Sequence, residues 1–179
     1  SAFMWKGTDV ANTLTLVNGS VGVGVFGGEV ATLATVTKSG GSLLTGSGVT
    51  LSGALVQSSG DWIINSLIDG SLTNSGGTAV VNGVGNVDQL TVSGGAVVLN
   101  TTGTLGGATV VSGTGVLDMT GAPVALAGVS AAIDVHGPTA SVIDPLKRLG
   151  NAAFDLNFGA TVAQLDLGNN LRVTRGATA

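Results

Sequence analysis

Short runs of apolar residues alternate with polar residues and glycines along most of the chain, a pattern typical of strands rather than helices. Residues 72–85 read LTNSGGTAVVNGVG and residues 90–103 read LTVSGGAVVLNTTG. Eight of these fourteen positions are identical at an offset of 18 residues. Self-similarity at a fixed short period is the mark of a stacked repeat protein, in which each copy is one structural unit.

Five consecutive copies of this unit are predicted, because the spacing between neighbouring copies stays near 18 residues. The copies begin at residues 36, 55, 72, 90 and 108. Glycine pairs such as Gly76-Gly77 separate the apolar runs, and glycine readily accepts the positive φ that a tight corner requires. The sequence therefore predicts a right-handed parallel β-helix, or β-solenoid, of about 18 residues per rung. The hand is taken from the general preference of parallel crossovers.

Equivalent positions in successive copies predict columns of stacked side chains. One apolar column is predicted to contain Leu72, Leu90 and Ala108. A polar column is predicted to contain Asn65, Asn82, Asn100 and Asp118. Stacked amides hydrogen-bond to one another, so we interpret this column as a structural ladder. A metal-binding column is the alternative, although neutral amides suit Ca²⁺ poorly.

A second polar column lies at the predicted corners. It contains Ser39, Ser58, Ser75 and Ser93, and we interpret it as a row of turn hydroxyls.

The whole chain, residues 1–179, is predicted to form a single solenoid domain. Residues 1–30 are assigned to irregular N-terminal rungs or a cap, and residues 31–135 to regular rungs. Residues 136–151 break the pattern and are predicted to form an insertion loop, with a short helix at 144–150. Residues 152–179 return to strands. Phe3 and Trp5 are expected either to cap the open end or to dock on a neighbouring subunit.

Composition narrows the expected partners. The 179 residues are 44% hydrophobic but only 9% charged and 3% aromatic, with a net charge of -4. No basic run could follow a phosphate backbone, so nucleic acid is not an expected partner. The chain contains no cysteine. No apolar run approaches the length of a transmembrane helix, so no membrane-spanning segment is expected.

No residue set points to catalysis, a cofactor or a metal. The one histidine, His136, is interpreted as a loop residue even though Asp134 and Asp144 are near it in sequence. Polysaccharide-cleaving enzymes can be β-helices, and Asp118 and Asp134 are spaced for neighbouring rungs. Their clefts normally carry stacking aromatics, however, and tyrosine is absent here. The sequence thus favours a protein that is not an enzyme.

Residues 94–121, GGAVVLNTTGTLGGATVVSGTGVLDMTG, resemble the passenger-associated strand repeats of autotransporters. The resemblance covers about residues 36–121. It implies display at the cell surface or release outside the cell, and a role either in adhesion to a host or cell-surface ligand or in self-association. The alternatives are a subunit of an extracellular filament or coat assembled end to end, as a homopolymer, and a phage or bacterial fibre that binds or cleaves a glycan.

Overall fold

Every regular element described by the structure, a computed structural model, is a β-strand. The structure describes residues 2–5, 12–25, 30–83, 85–100, 104–121, 125–126, 132–136, 139–143, 153–155 and 164–166. The strands are β1 (Ala2–Trp5), β2 (Asn12–Leu16), β3 (Ser20–Val23), β4 (Ala31–Lys38), β5 (Ser42–Thr45), β6 (Val49–Gln57), β7 (Asp61–Ile64), β8 (Leu67–Asn74), β9 (Thr78–Val81), β10 (Gly85–Val92), β11 (Ala96–Leu99), β12 (Thr104–Leu105), β13 (Ala108–Ser112), β14 (Val116–Asp118), β15 (Ala125–Leu126), β16 (Ala132–His136), β17 (Ser141–Ile143), β18 (Ala153–Asp155) and β19 (Gln164–Asp166).

The strands form two parallel sheets that the chain visits in turn. The nine-stranded sheet has the order β1-β3-β5-β7-β9-β11-β14-β17-β19. The ten-stranded sheet has the order β18-β16-β13-β10-β8-β6-β4-β2, and the short strands β12 and β15 extend it beside β10. Each strand inside a sheet therefore pairs with the strand one coil before it and the strand one coil after it. This arrangement confirms the predicted β-solenoid, while its hand remains a prediction.

The coil length agrees with the sequence period. Ser42 pairs with Asp61, Asp61 with Thr78, and Thr78 with Ala96. These partners are 19, 17 and 18 residues apart, close to the period of the repeat. The coil between Val116 and its partner Ser141 is longer.

Each regular coil consists of one short strand and one long strand. The long strand shifts register near its middle, as between Leu33 and Thr35 in β4 and between Val87 and Gln89 in β10. Such bulges bend a strand, so one long strand covers two sides of the coil. The long strand is divided into two strands in two described coils, as β12 and β13 in one and as β15 and β16 in the next.

The core consists of inward columns of aliphatic side chains. On the nine-stranded sheet one column contains Leu43, Trp62, Ala79, Val97 and Leu117, all buried. Trp62 is the largest fully buried side chain among the described residues, and its neighbour in the next coil is the small Ala79. A large side chain beside a small one keeps the column filled without widening the coil.

The register predicted for the apolar column of Leu72, Leu90 and Ala108 is correct up to Leu90 and wrong beyond it. Leu72 pairs with Leu90, but Leu90 pairs with Thr109 rather than with Ala108. Three residues separate Leu105 from Thr109, whereas two separate the paired positions Val87 and Leu90. One extra residue at Gly106–Ala108 therefore displaces the fifth copy, and Ala108 is exposed.

Part of the predicted insertion loop belongs to the coil. β17 lies within residues 136–151, yet it pairs with β14 and extends the nine-stranded sheet. Its central residue Val142 is fully buried, so the alternating Ser-Val-Ile segment supplies a core position that a surface loop would not. The helix predicted at 144–150 lies outside the described residues.

Candidate functional site

Three of the four residues assigned to the polar ladder are joined by hydrogen bonds. The Nδ2 of Asn82 donates to the Oδ1 of Asn65 at 3.1 Å, and the Nδ2 of Asn100 donates to the Oδ1 of Asn82 at 3.2 Å. Each asparagine directly follows a strand of the nine-stranded sheet, so the sheet register stacks them one per coil. Asn82 and Asn100 are exposed, and the ladder therefore follows an outer edge of the solenoid.

The assignment of Asp118 to this ladder is wrong. Asp118 lies inside β14 and pairs with Val98, two residues before the ladder position of Asn100. The corner before β14 is longer by one residue than the corner before β11, and this adds to the extra residue at Gly106–Ala108. The Asp118 carboxylate instead accepts a hydrogen bond from the backbone N–H of Thr120 at 2.9 Å.

The serine column continues the backbone ladder beyond the ends of the long strands. The N–H of Ser58 donates to Lys38, that of Ser75 to Gln57, and that of Ser93 to Asn74, at 2.8 to 2.9 Å. All four serines, with Ser39, are exposed. Their stacking thus comes from main-chain bonds between coils, and Ser75 alone of the four places its hydroxyl on the preceding coil.

Below these serines lies a buried polar column that the sequence did not predict. We call it the corner column, and it consists of Lys38, Gln57 and Asn74, paired in register in successive coils. All three are fully buried, and apolar Leu16 and Val92 flank them in the same column. The signal in the sequence is the alternation of side chains along a strand. Each of the three lies two residues after a buried aliphatic residue, so it points to the same inward face.

The corner column binds backbone carbonyls of the glycine corners. Lys38 Nζ donates to Ser59 O at 2.6 Å, and Gln57 Nε2 donates to Gly60 O at 2.7 Å. Asn74 Nδ2 donates to Gly94 O at 2.9 Å and to Ala96 O at 3.2 Å. The side chains thus add a hydrogen-bond donor to carbonyls near each turn, and the Gly60 carbonyl also accepts from the backbone N–H of Thr78.

Burial lowers the pKa of Lys38 from its usual value, and the nearby Asp61 carboxylate partly opposes that shift. The amine nevertheless keeps a strong acceptor in the Ser59 carbonyl. Gln57 Oε1 and Asn74 Oδ1 are buried without a hydrogen-bond partner in the described part of the chain. The corner column therefore stabilises the corners through its donors, while two of its amide oxygens accept no hydrogen bond.

The opposite side of the same strands forms a flat face of short side chains. We call it the hydroxyl face, and two outward residues from each of six successive strands of the ten-stranded sheet make it up. Its members are Thr13, Thr15, Thr35, Thr37, Ala54, Val56, Ser71, Thr73, Gln89, Thr91, Ala108 and Val110. All are exposed or half-buried, none is ionisable, and Gln89 is the single long side chain.

No family model matches the chain, and no match was found among curated proteins or solved structures. Within the described residues no group of three or more His, Asp or Glu side chains is placed to hold a metal ion. The same residues include no helix with the length and apolar character needed to cross a membrane.

The remaining sequence-based assignments concern the ends of the solenoid. Phe3 and Trp5 lie in β1, the outermost strand of the nine-stranded sheet, and pair with Val21 and Val23 of β3. Their role as a cap or an assembly surface stays a prediction. His136 ends β16 and pairs with Ser112, so its backbone belongs to a strand and not to a loop as predicted.

Proposed function

We propose that the chain is a non-enzymatic extracellular structural or adhesive module of autotransporter-passenger type. The observation that carries the proposal is the pair of parallel sheets, which present long, repetitive lateral faces of short side chains. On the hydroxyl face six successive strands contribute no ionisable group. Repetition of this kind suits contact with an extended surface, because the same interaction recurs at every coil.

The resemblance to passenger-associated repeats supports location at the cell surface or outside the cell. The low charged fraction, 9%, also supports contact with surfaces, because the solenoid holds few charges that must be desolvated. The partner expected under this proposal is a cell-surface ligand or another copy of the chain.

Attachment of coated beads tests the proposal. Beads carrying the purified chain should bind cells, or one another, more than beads carrying an inert protein of similar size and charge. A matched set of beads should carry chain that has been heat-unfolded before coupling, because the proposal requires the folded faces. Attachment no greater than that of the inert or unfolded controls would contradict it.

A filament subunit is the second candidate, and the ends of the sheets favour it. Among the described residues, β1 and β19 are the terminal strands of one sheet, and β2 and β18 those of the other. A terminal strand carries backbone N–H and C=O groups that can pair with another chain. Negative-stain electron microscopy over a concentration series should then show filaments of uniform width, whereas short rods at every concentration would exclude end-to-end assembly.

A further inference from the structure

We propose that the hydroxyl face binds ice. The face is a two-dimensional array, with residues two apart in a strand separated by about 6.7 Å and successive coils by about 4.8 Å. Water in ice likewise repeats at a few ångströms in two directions across a crystal face. An array of small groups fixed by a sheet can order water in the same way over many positions at once.

The hydroxyl groups of the face are free to bind water. Seven of its twelve members are threonine or serine. The described hydroxyls that donate hydrogen bonds within the protein, such as those of Ser59, Ser66, Ser75, Thr104 and Thr139, lie outside the face. Each hydroxyl of the face can therefore donate one hydrogen bond and accept others from solvent.

The face is also rigid, which lowers the entropy lost on binding a solid. Lys38, Gln57 and Asn74 alternate with the face and fasten the same strands to the corners beneath it. Threonine and valine are β-branched and have restricted χ1 angles, so their methyl and hydroxyl groups have few orientations to choose from. Binding to a lattice therefore requires little reordering of side chains.

The hydroxyl face carries no charge, and this favours ice over other extended ligands as its partner. An ice surface is uncharged, and no member of the face is ionisable, so no charge has to be desolvated on contact. An anionic lipid or nucleic-acid surface would instead require lysine or arginine. A glycan surface is less suited, because the face has no aromatic ring to stack on a sugar and one long polar side chain, Gln89.

The hydroxyl face by itself is too small to hold a second copy of the chain, so self-association under the adhesive proposal would need surface beyond this face. Its twelve members each occupy about 4.8 Å by 6.7 Å of the sheet, so the face covers roughly 400 Å². A stable protein–protein interface buries about 800 Å² on each partner. Adsorption to a crystal does not need that area, because the advancing ice front can trap a protein held there only briefly. The inference goes beyond the adhesive role and does not depend on it.

Partition into slowly growing ice tests the inference with the purified full chain. We expect the chain to be enriched in the ice fraction, whereas an inert protein of similar size stays in the liquid. Thr73→Lys places a long charged side chain at the centre of the face and should reduce enrichment to the inert level. Thr78→Lys is the matched control, because Thr78 points outward from the other sheet of the same coil and should leave enrichment unchanged.

Gln89→Thr provides a second test that does not depend on loss of binding. It removes the one long side chain and extends the array, so enrichment should increase. Circular dichroism should show that all three variants keep the fold. The inference is overturned if the unaltered chain partitions like the inert protein, or if Thr73→Lys and Thr78→Lys behave alike. Binding to crystalline cellulose or chitin without enrichment in ice would assign the face to a glycan instead.

Discussion

The pairing of Trp62 with Ala79 allows a direct test of how the core column is filled. The two residues are register partners in adjacent coils, and both are fully buried. Replacing Trp62 with leucine leaves a cavity, and deleting a buried tryptophan to alanine costs about 3–5 kcal/mol. Leucine retains part of that volume, and the Trp62 Nε1–H, which has no hydrogen-bond partner among the described residues, is no longer buried. We therefore expect Trp62→Leu to cost about 2 kcal/mol.

Ala79→Leu alone should cost about 1–3 kcal/mol, because the added side chain overlaps with the indole. In the double variant the leucine at 79 enters the space vacated by the indole. Its loss should then be smaller than the sum of the single losses by about 1–2 kcal/mol, within the range for residues in contact. Urea unfolding followed by far-ultraviolet circular dichroism measures all four proteins. Additivity within about 0.5 kcal/mol would refute the idea that the two side chains share one space.

Three further predictions concern the corners and the ladder. Gly77→Ala should lower stability by at least about 2 kcal/mol, because φ is 78° there and a Cβ would overlap with the Gly60 carbonyl oxygen; an unchanged melting temperature would contradict this. The free energy of unfolding should rise with pH from the lowered folded pKa of Lys38 up to its ordinary value of 10.5, because the unfolded chain binds more protons in that window. Lys38→Met should abolish this rise, and a variant with the same pH profile as the parent would refute the assignment. Asn82→Leu removes both ladder hydrogen bonds and should cost about 1 kcal/mol in urea unfolding, whereas no change would show that the exposed ladder adds nothing.

The sequence predicted the architecture because repetition reports directly on stacking. The offset between residues 72 and 90 is also the pairing offset of β8 and β10, so Leu72 and Leu90 stack as expected. The asparagine positions were predictable for the same reason, since Asn65, Asn82 and Asn100 each close an equivalent short strand.

The errors arise where one residue is added without a change in composition. The segments around Gly106 and Gly113 look like their counterparts in earlier copies, because glycine and small residues occur on both sides of each addition. An alignment by similarity does not detect the two added residues. It therefore places Asp118 two positions from its observed partner. Only the backbone pairing reveals that the corner has lengthened.

The corner column was missed for a different reason. Lys38, Gln57 and Asn74 are polar, and polarity by itself predicts an outward position. Their alternation with Val36, Leu55 and Leu72 predicts the inward one. The alternation decides the orientation, because turning these residues outward would also expose the aliphatic residues along the whole strand. Their bonds to the corner carbonyls offset part of the cost of burying the polar groups.

The buried polar residues also help to determine which coils of similar sequence pair with one another. A solenoid of equal coils could slip by one coil and lose few contacts, since aliphatic residues are interchangeable along a column. Lys38, Gln57 and Asn74 differ in length, and each reaches a particular corner carbonyl. A slip by one coil would present each donor with a different distance and leave buried polar atoms unpaired, which costs about 1–3 kcal/mol for each group. The three residues end the successive strands β4, β6 and β8, where the aliphatic columns alone would leave the register poorly defined.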